Sequence, residues 1–135
     1  MRRFAACLIV SFVATAIPGG LALAASNGRA NYVGKTTQHK KIRVRANSKR
    51  LWLKSFAIKL NCRDGSTLVD QESGFEPSPL RHGQFKDTQY GSTDTVVYSG
   101  RVRGSKVTGI LRVRDRVGKV RCASPKVKFT ARRHG

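Results

Sequence analysis

Three shortages in this 135-residue sequence each close off a class of chemistry. Acids are the first, with seven Asp and Glu against 27 Lys and Arg. A calcium loop needs several acidic oxygens at short spacing; Asp64, Asp70 and Glu72 are near one another but lack the DxDxDG arrangement, and read as solvated loop acids. Glu72, Glu76 and Asp87 could supply a glycosidase pair, yet nothing in the sequence sets two of them across one cleft. Cysteine and histidine come next, at three each. No CxxC spacing occurs and no His cluster lies near a Cys, which removes the usual zinc patterns. His134 sits near the C-terminal end, and His39 stands beside Lys40 and Lys41. His82 shares its stretch with Glu76, Asp87, Asp94 and Ser78. A hydrolase needs a nucleophile, a base and an orienting acid in mutual reach, and no GxSxG elbow is present. No catalytic residue, metal or cofactor is therefore assigned.

The third shortage is of long apolar runs and helical repeats. Phe4 to Ile17 is apolar, follows Arg2 and Arg3, and is ended by Pro18, Gly19 and Gly20, short of the roughly 20 apolar residues a spanning helix needs. Leu21 to Ala25 is an Ala-rich exit of the kind signal peptidase reads. The expectation is a leader over 1–25, an unstructured polar segment over 26–31 and one domain over 32–133, exported and either secreted or held at the cell envelope. Arg2 and Arg3 leave the general secretory and twin-arginine routes both open. Without the leader, Cys62 and Cys122 remain, and 25 Lys and Arg face seven acids, a net charge of +18. An even pair of cysteines in an exported chain is most simply one disulfide.

What the sequence has in place of helix is alternation. In Lys41 to Arg45, Ile42 and Val44 share one face and three cations the other. Asn47 to Arg50 and Arg63 to Ser66 read as turns. Between them Phe56, Ile58, Leu60 and Cys62 share a face; Trp52 has the same parity, but Lys54 intervenes, so a bulge near Ser55 is expected. Residues 67–94, with Pro77, Pro79, Gly74, Gly83 and Gly91, read as the least regular part, with a short strand near Gly83 to Asp87. Asp115 to Gly118 reads as a turn, and Val127, Phe129 and Ala131 face inward from a last strand.

The clearest pattern spans Thr95 to Arg114. A two-residue turn at Gly104 and Ser105 sets Val102 opposite Val107, Gly100 opposite Gly109, Tyr98 opposite Leu111 and Val96 opposite Val113, all on one face. A slip of one residue would send that whole set to solvent. The paired glycines imply that a core aromatic or another strand lies close against the sheet there. The fold class is all-β, a small antiparallel sandwich or barrel of six to eight strands with one disulfide, Cys62 to Cys122.

Taken together, Tyr32 x Gly34 Lys35 Thr36 x Gln38, Cys62 x Asp64 Gly65, Gly83 x Phe85 x Asp87, Tyr98 x Gly100 x Val102 x Gly104 x Lys106 Val107 Thr108 Gly109 x Leu111 Arg112, Cys122 x Ser124 and Phe129 x Ala131 Arg132 form a pattern over nearly the whole domain. It resembles a group of small secreted uncharacterised bacterial β-sandwich proteins, mainly of actinobacterial type. The resemblance implies a fold and no chemistry. The sequence departs from the group at Pro125, where Gly usually follows the Ser, at Phe129, where Trp is usual, and in being more basic.

Charge is the remaining lead. Residues 26–62 carry ten cations and no acid, residues 101–135 carry twelve and Asp115 alone, and the other acids lie between, predicting an acidic or neutral region in the central loops. Outward strand positions make ladders of Lys41, Arg43 and Arg45, of Arg101 and Arg103, of Arg112 and Arg114, and of Lys126 and Lys128. Cations two apart on a strand are separated by roughly 6.6 Å. Such ladders suit non-specific contact with an anionic envelope polymer, an acidic glycan or extracellular nucleic acid; charged outer faces also simply keep sheets from pairing. The expectation is a monomeric, non-enzymatic protein. A hydrolase using the loop around His82, or a structural or inhibitory module binding another protein through 67–94, are the alternatives.

Overall fold

A computed structural model describes residues 28–135, and the leader expected at 1–25 lies outside them. Every element among the described residues is a strand: β1 (Ala30–Thr36), β2 (Lys41–Ala46), β3 (Arg50–Cys62), β4 (Thr67–Ser73), β5 (Ser78–Pro79), β6 (Gln84–Tyr90), β7 (Thr95–Arg103), β8 (Lys106–Val117), β9 (Val120–Ala123) and β10 (Val127–Arg133). Pairing runs β10-β1-β2-β3-β9-β8, and β10 pairs with β8 as well, which closes a six-stranded antiparallel barrel. The extra strands β7 and β6 extend the sheet from the other side of β8, while β4 and β5 lie along the free side of β3. Closure removes most of the open edges through which β proteins aggregate.

The alternating apolar residues form one core. Ile42, Val44, Leu53, Ile58, Leu60, Val96, Val107, Leu111, Val113 and Val127 are buried. Each points inward because side chains on a strand alternate faces. The β7–β8 hairpin has the register read from the sequence, from Val96 opposite Val113 to Arg103 opposite Lys106, with Gly104 in the left-handed region as its turn requires. The paired glycines are explained too. A Cβ on Gly100 would sit 2.6 Å from the ring of Phe85, and one on Gly109 would sit 2.6 Å from Phe129. The two aromatic rings occupy the space the glycines leave.

Several expectations are corrected. The stretch 67–94 is largely regular, since β4 pairs with β3 over Thr67 to Ser73 and β6 pairs with β7 over Gln84 to Tyr90. Pro77 falls outside every strand, and Pro79 lies in the two-residue β5, opposite Arg50 of β3. Asp115 is not in a turn: β8 runs on to Val117 and turns at Gly118 and Lys119, so Arg116 faces Arg121. The bulge expected near Ser55 is present, since the register of β2 on β3 shifts between Arg43 and Val44, partnering Ser55 and then Leu53, and Trp52 faces outward as a result. The bulge exchanges the two faces and buries Leu51 and Leu53 instead. Strand β1 begins at Ala30, two residues inside the segment expected to precede the fold.

Cys62 and Cys122 are directly opposed across β3 and β9 and joined by the expected disulfide. Just beyond, β9 becomes β10 at Ser124 and Pro125. Buried Ser124 repairs the break: its Oγ accepts from Val113 N at 2.9 Å and donates to Pro125 O at 2.8 Å, and its N–H donates to Val113 O. Pro125 stands where the ladder is interrupted already, so its lack of a donor costs nothing.

Candidate anion-binding surface

The sheet's outer face receives whatever alternation sends outward, and on β7, β8, β10, β1 and β2 that is mostly cations. Following the register across these strands, Arg103 lies opposite Lys106, Lys106 opposite Arg132, Arg132 opposite Val33, and Val33 opposite Arg43. Four of the five residues in this row are cationic, over roughly 19 Å at the usual strand spacing. A neighbouring row runs Arg101, Thr108, Thr130, Lys35, Lys41. Lys128 continues the belt opposite Ile110, and Arg45 is steadied by donating from Nε to Asn31 Oδ1 at 2.9 Å. Arg45 is also opposite Trp52, whose ring is covered by the Arg29 guanidinium at 4.9 Å.

Of the nine cations singled out from the sequence, Lys41, Arg43, Arg45, Arg101, Arg103 and Lys128 fall in this belt. Arg112, Arg114 and Lys126 lie apart, lining a depression of about 290 Å³ with the exposed Val97 and Ile110. The sequence list missed Lys35, Lys106 and Arg132, which complete the belt. Their parity was readable; which strands lie side by side was not. It also missed Arg63, Arg116 and Arg121, which join Arg114 around a groove of about 570 Å³ at the β8–β9 end. Reading Asp115 to Gly118 as a turn hid the Arg116 and Arg121 pairing.

The acids behave differently. Ser78 has no exposed surface, and its Oγ donates to Asp87 Oδ2 at 2.6 Å. One consistent set of donors runs from Gln89 Nε2 to Tyr98 Oη at 2.8 Å, from Tyr98 to Ser78 at 2.6 Å and from Ser78 to Asp87. Gln89 also exchanges two bonds with the backbone of Glu76. The network therefore ties the segment carrying β5 to β6, two edges that no ladder joins. Burial raises the Asp87 pKa, but bonds from Ser78, Gln89, Thr88 and Tyr98 outweigh it and hold the carboxyl below its ordinary value. Burial and the Asp87 charge push Tyr98 up to about 12, against bonds from Ser78 and Gln89. His82 lies outside this network, on an exposed turn at φ 52°. Ser78 and Asp87 thus meet without it.

A second acidic group forms on β4. Glu72 is raised from 4.5 to about 8, first by burial, then by its bond to Asp70 and by the charges of Asp70, Asp94 and Asp115. Asp70 Oδ2 is buried and has no hydrogen-bond partner, and Glu72 lies two residues on, on the same face of β4. Of the six acids expected in central loops, Asp70, Glu72 and Asp87 lie on strands at half-buried positions, and Asp64, Glu76 and Asp94 lie outside the strands. Among the described residues no group of three or more His, Cys, Asp and Glu is arranged to hold a metal ion, and no helix is long and apolar enough to cross a membrane. Within 67–94, the stretch considered for protein binding, Val69 and Tyr90 are exposed. No protein-family model matches the chain, and no curated protein matches it in sequence.

Proposed function

We propose that this protein, like the small secreted bacterial proteins it resembles, is exported as a non-enzymatic domain. Its role is to associate electrostatically with an anionic envelope or extracellular polymer. The observation that carries the reading is the row Arg103, Lys106, Arg132 and Arg43, which brings cations from three strands of the closed barrel and from the adjoining β7 onto one outer face. The disulfide fits an oxidising compartment outside the cytoplasm. An extended polyanion laid along the row meets a cation at nearly every strand crossing, and each contact releases counterions.

Retention of the purified protein on an immobilised polyanion across a salt series tests this. If the four cations of the row each neutralise one phosphate, log K falls with log salt at a slope of about −3 to −4. Elution with a neutral β protein of equal size would sink the proposal.

A further inference from the structure

The groove at the β8–β9 end differs from the belt in shape and in origin. Arg63 reaches it from the end of β3, Arg114 and Arg116 from β8 and Arg121 from β9. Together they line a concavity of about 570 Å³, within the range of small-ligand sites. Arg116 and Arg121 are directly opposed across the ladder, a placement that sets like charges against each other. Asp115 is the one acid in the lining, and its Oδ1 already accepts from the backbone N–H of Arg116 at 2.7 Å. Three positive charges remain in excess.

The floor is held in place. Cys122 lines it and is bonded to Cys62, and Arg63 N donates to Arg121 O at 2.9 Å. The backbones carrying Arg63 and Arg121 are therefore fixed relative to each other before any ligand arrives, which lowers the cost of ordering the site. Guanidinium groups present planar forks that match phosphate oxygens two at a time.

We propose that this groove is a discrete site for a compact oligophosphate, held by Arg63, Arg114, Arg116 and Arg121. The alternative of a carboxylate polymer suits it less. One carboxylate per sugar ring spaces charge too widely to place several in one concavity, whereas linked phosphates are adjacent. The choice of an anionic ligand rests on the function proposed above, but the site is separable from the belt.

The test is calorimetric titration of the purified protein with tripolyphosphate, and with a linear trigalacturonate of comparable charge, at about 0.15 M salt where diffuse attraction is screened. Two double variants remove the same charge: Arg116→Gln with Arg121→Gln in the groove, and Arg43→Gln with Arg132→Gln in the belt. The groove variant is expected to bind tripolyphosphate about tenfold or more weakly, from lost charge-assisted bonds, and the belt variant less than about threefold. Arg116→Lys with Arg121→Lys keeps the charge and is expected to recover only part of the loss. Equal losses in the two double variants would overturn the site, as would no wild-type binding of tripolyphosphate or equal affinity for trigalacturonate. Retention on the polyanion column reports the belt separately, so the site can fail while the proposed function stands. All four residues lie at the surface, and a thermal melt of each variant checks the fold; Arg121→Gln alone serves if a double variant is unstable.

Discussion

Asp87 and Arg132 are both charged residues on strands of one antiparallel sheet, and the fold uses them in opposite ways. Asp87 points inward and accepts from Ser78 and Gln89, closing a seam that has no backbone ladder. Arg132 points outward, with Lys106 and Val33 as its cross-strand neighbours. A carboxylate partly removed from water is stable only when donors surround it, whereas an exposed guanidinium needs no partner. Here an inward acid helps hold the structure together, and the many cations are left facing solvent.

The comparison can be broken most severely at the disulfide, which joins β3, the strand that carries acidic β4, to β9 beside the arginine groove. Its two cysteines are 60 residues apart. Replacing both with Ala is expected to cost about 4 kcal/mol in the chain-entropy account, read by denaturant unfolding. A cost under about 1 kcal/mol would show that the barrel's own ladders fix that end.

Removing a member of the acidic seam comes next. Tyr98→Phe keeps the ring against Phe85 and Phe75 but leaves Ser78 and Gln89 short of a partner in a buried place. The expected loss is about 1–3 kcal/mol. Arg132→Gln on the belt is the control and is expected to stay within about 0.5 kcal/mol of wild type.

Acidity sharpens the same contrast. Glu72 holds its proton up to about pH 8 in the folded protein and to about 4.5 when unfolded. Between those values the folded state binds more protons, so the contribution of this group to stability is fully present below pH 4.5 and is lost as pH rises through 8. Asp87 has the opposite sign: its depressed pKa contributes stability that is lost as pH falls through the carboxylate range. Melting temperature is therefore expected to fall between pH 5 and 9, and Glu72→Gln to flatten that fall while leaving the acid side unchanged. An unaltered alkaline limb in the variant would remove the assignment.

How much of this could be read in advance follows from range. The β7–β8 hairpin was legible because its register needs only a turn of Gly104 and Ser105 and alternation on both sides. The facing of Ile42, Val44, Val127 and Phe129 was legible for the same reason. For Trp52 the interruption at Lys54 showed a bulge near Ser55, but the face it leaves Trp52 on depends on where β2 pairs with β3. The regularity of β4 and β6 was hidden by polar residues, because Asp70, Glu72, Asp87 and Gln89 occupy inward positions where apolar residues signal a strand. Individual cations of the belt were visible from the sequence; their alignment across β7, β8, β10, β1 and β2 depends on barrel closure, which brings β10 between β8 and β1.

The smallest effect expected is also the most direct measure of what the belt costs the fold. Lys106 lies between Arg103 and Arg132, with a like charge on either side. Opposed like charges on a sheet destabilise by a few tenths of a kcal/mol each. Lys106→Gln is therefore expected to raise stability by about 0.3–0.6 kcal/mol at low salt. The gain should shrink as salt rises, because exposed charges are screened within about 10 Å at 0.1 M. The same variant should leave the polyanion column earlier than wild type, since one phosphate contact is lost. Gain in stability and loss of retention from one substitution would mean that the belt is kept at the expense of the fold. A loss of stability at low salt would instead assign Lys106 a packing role and take it out of the charge row.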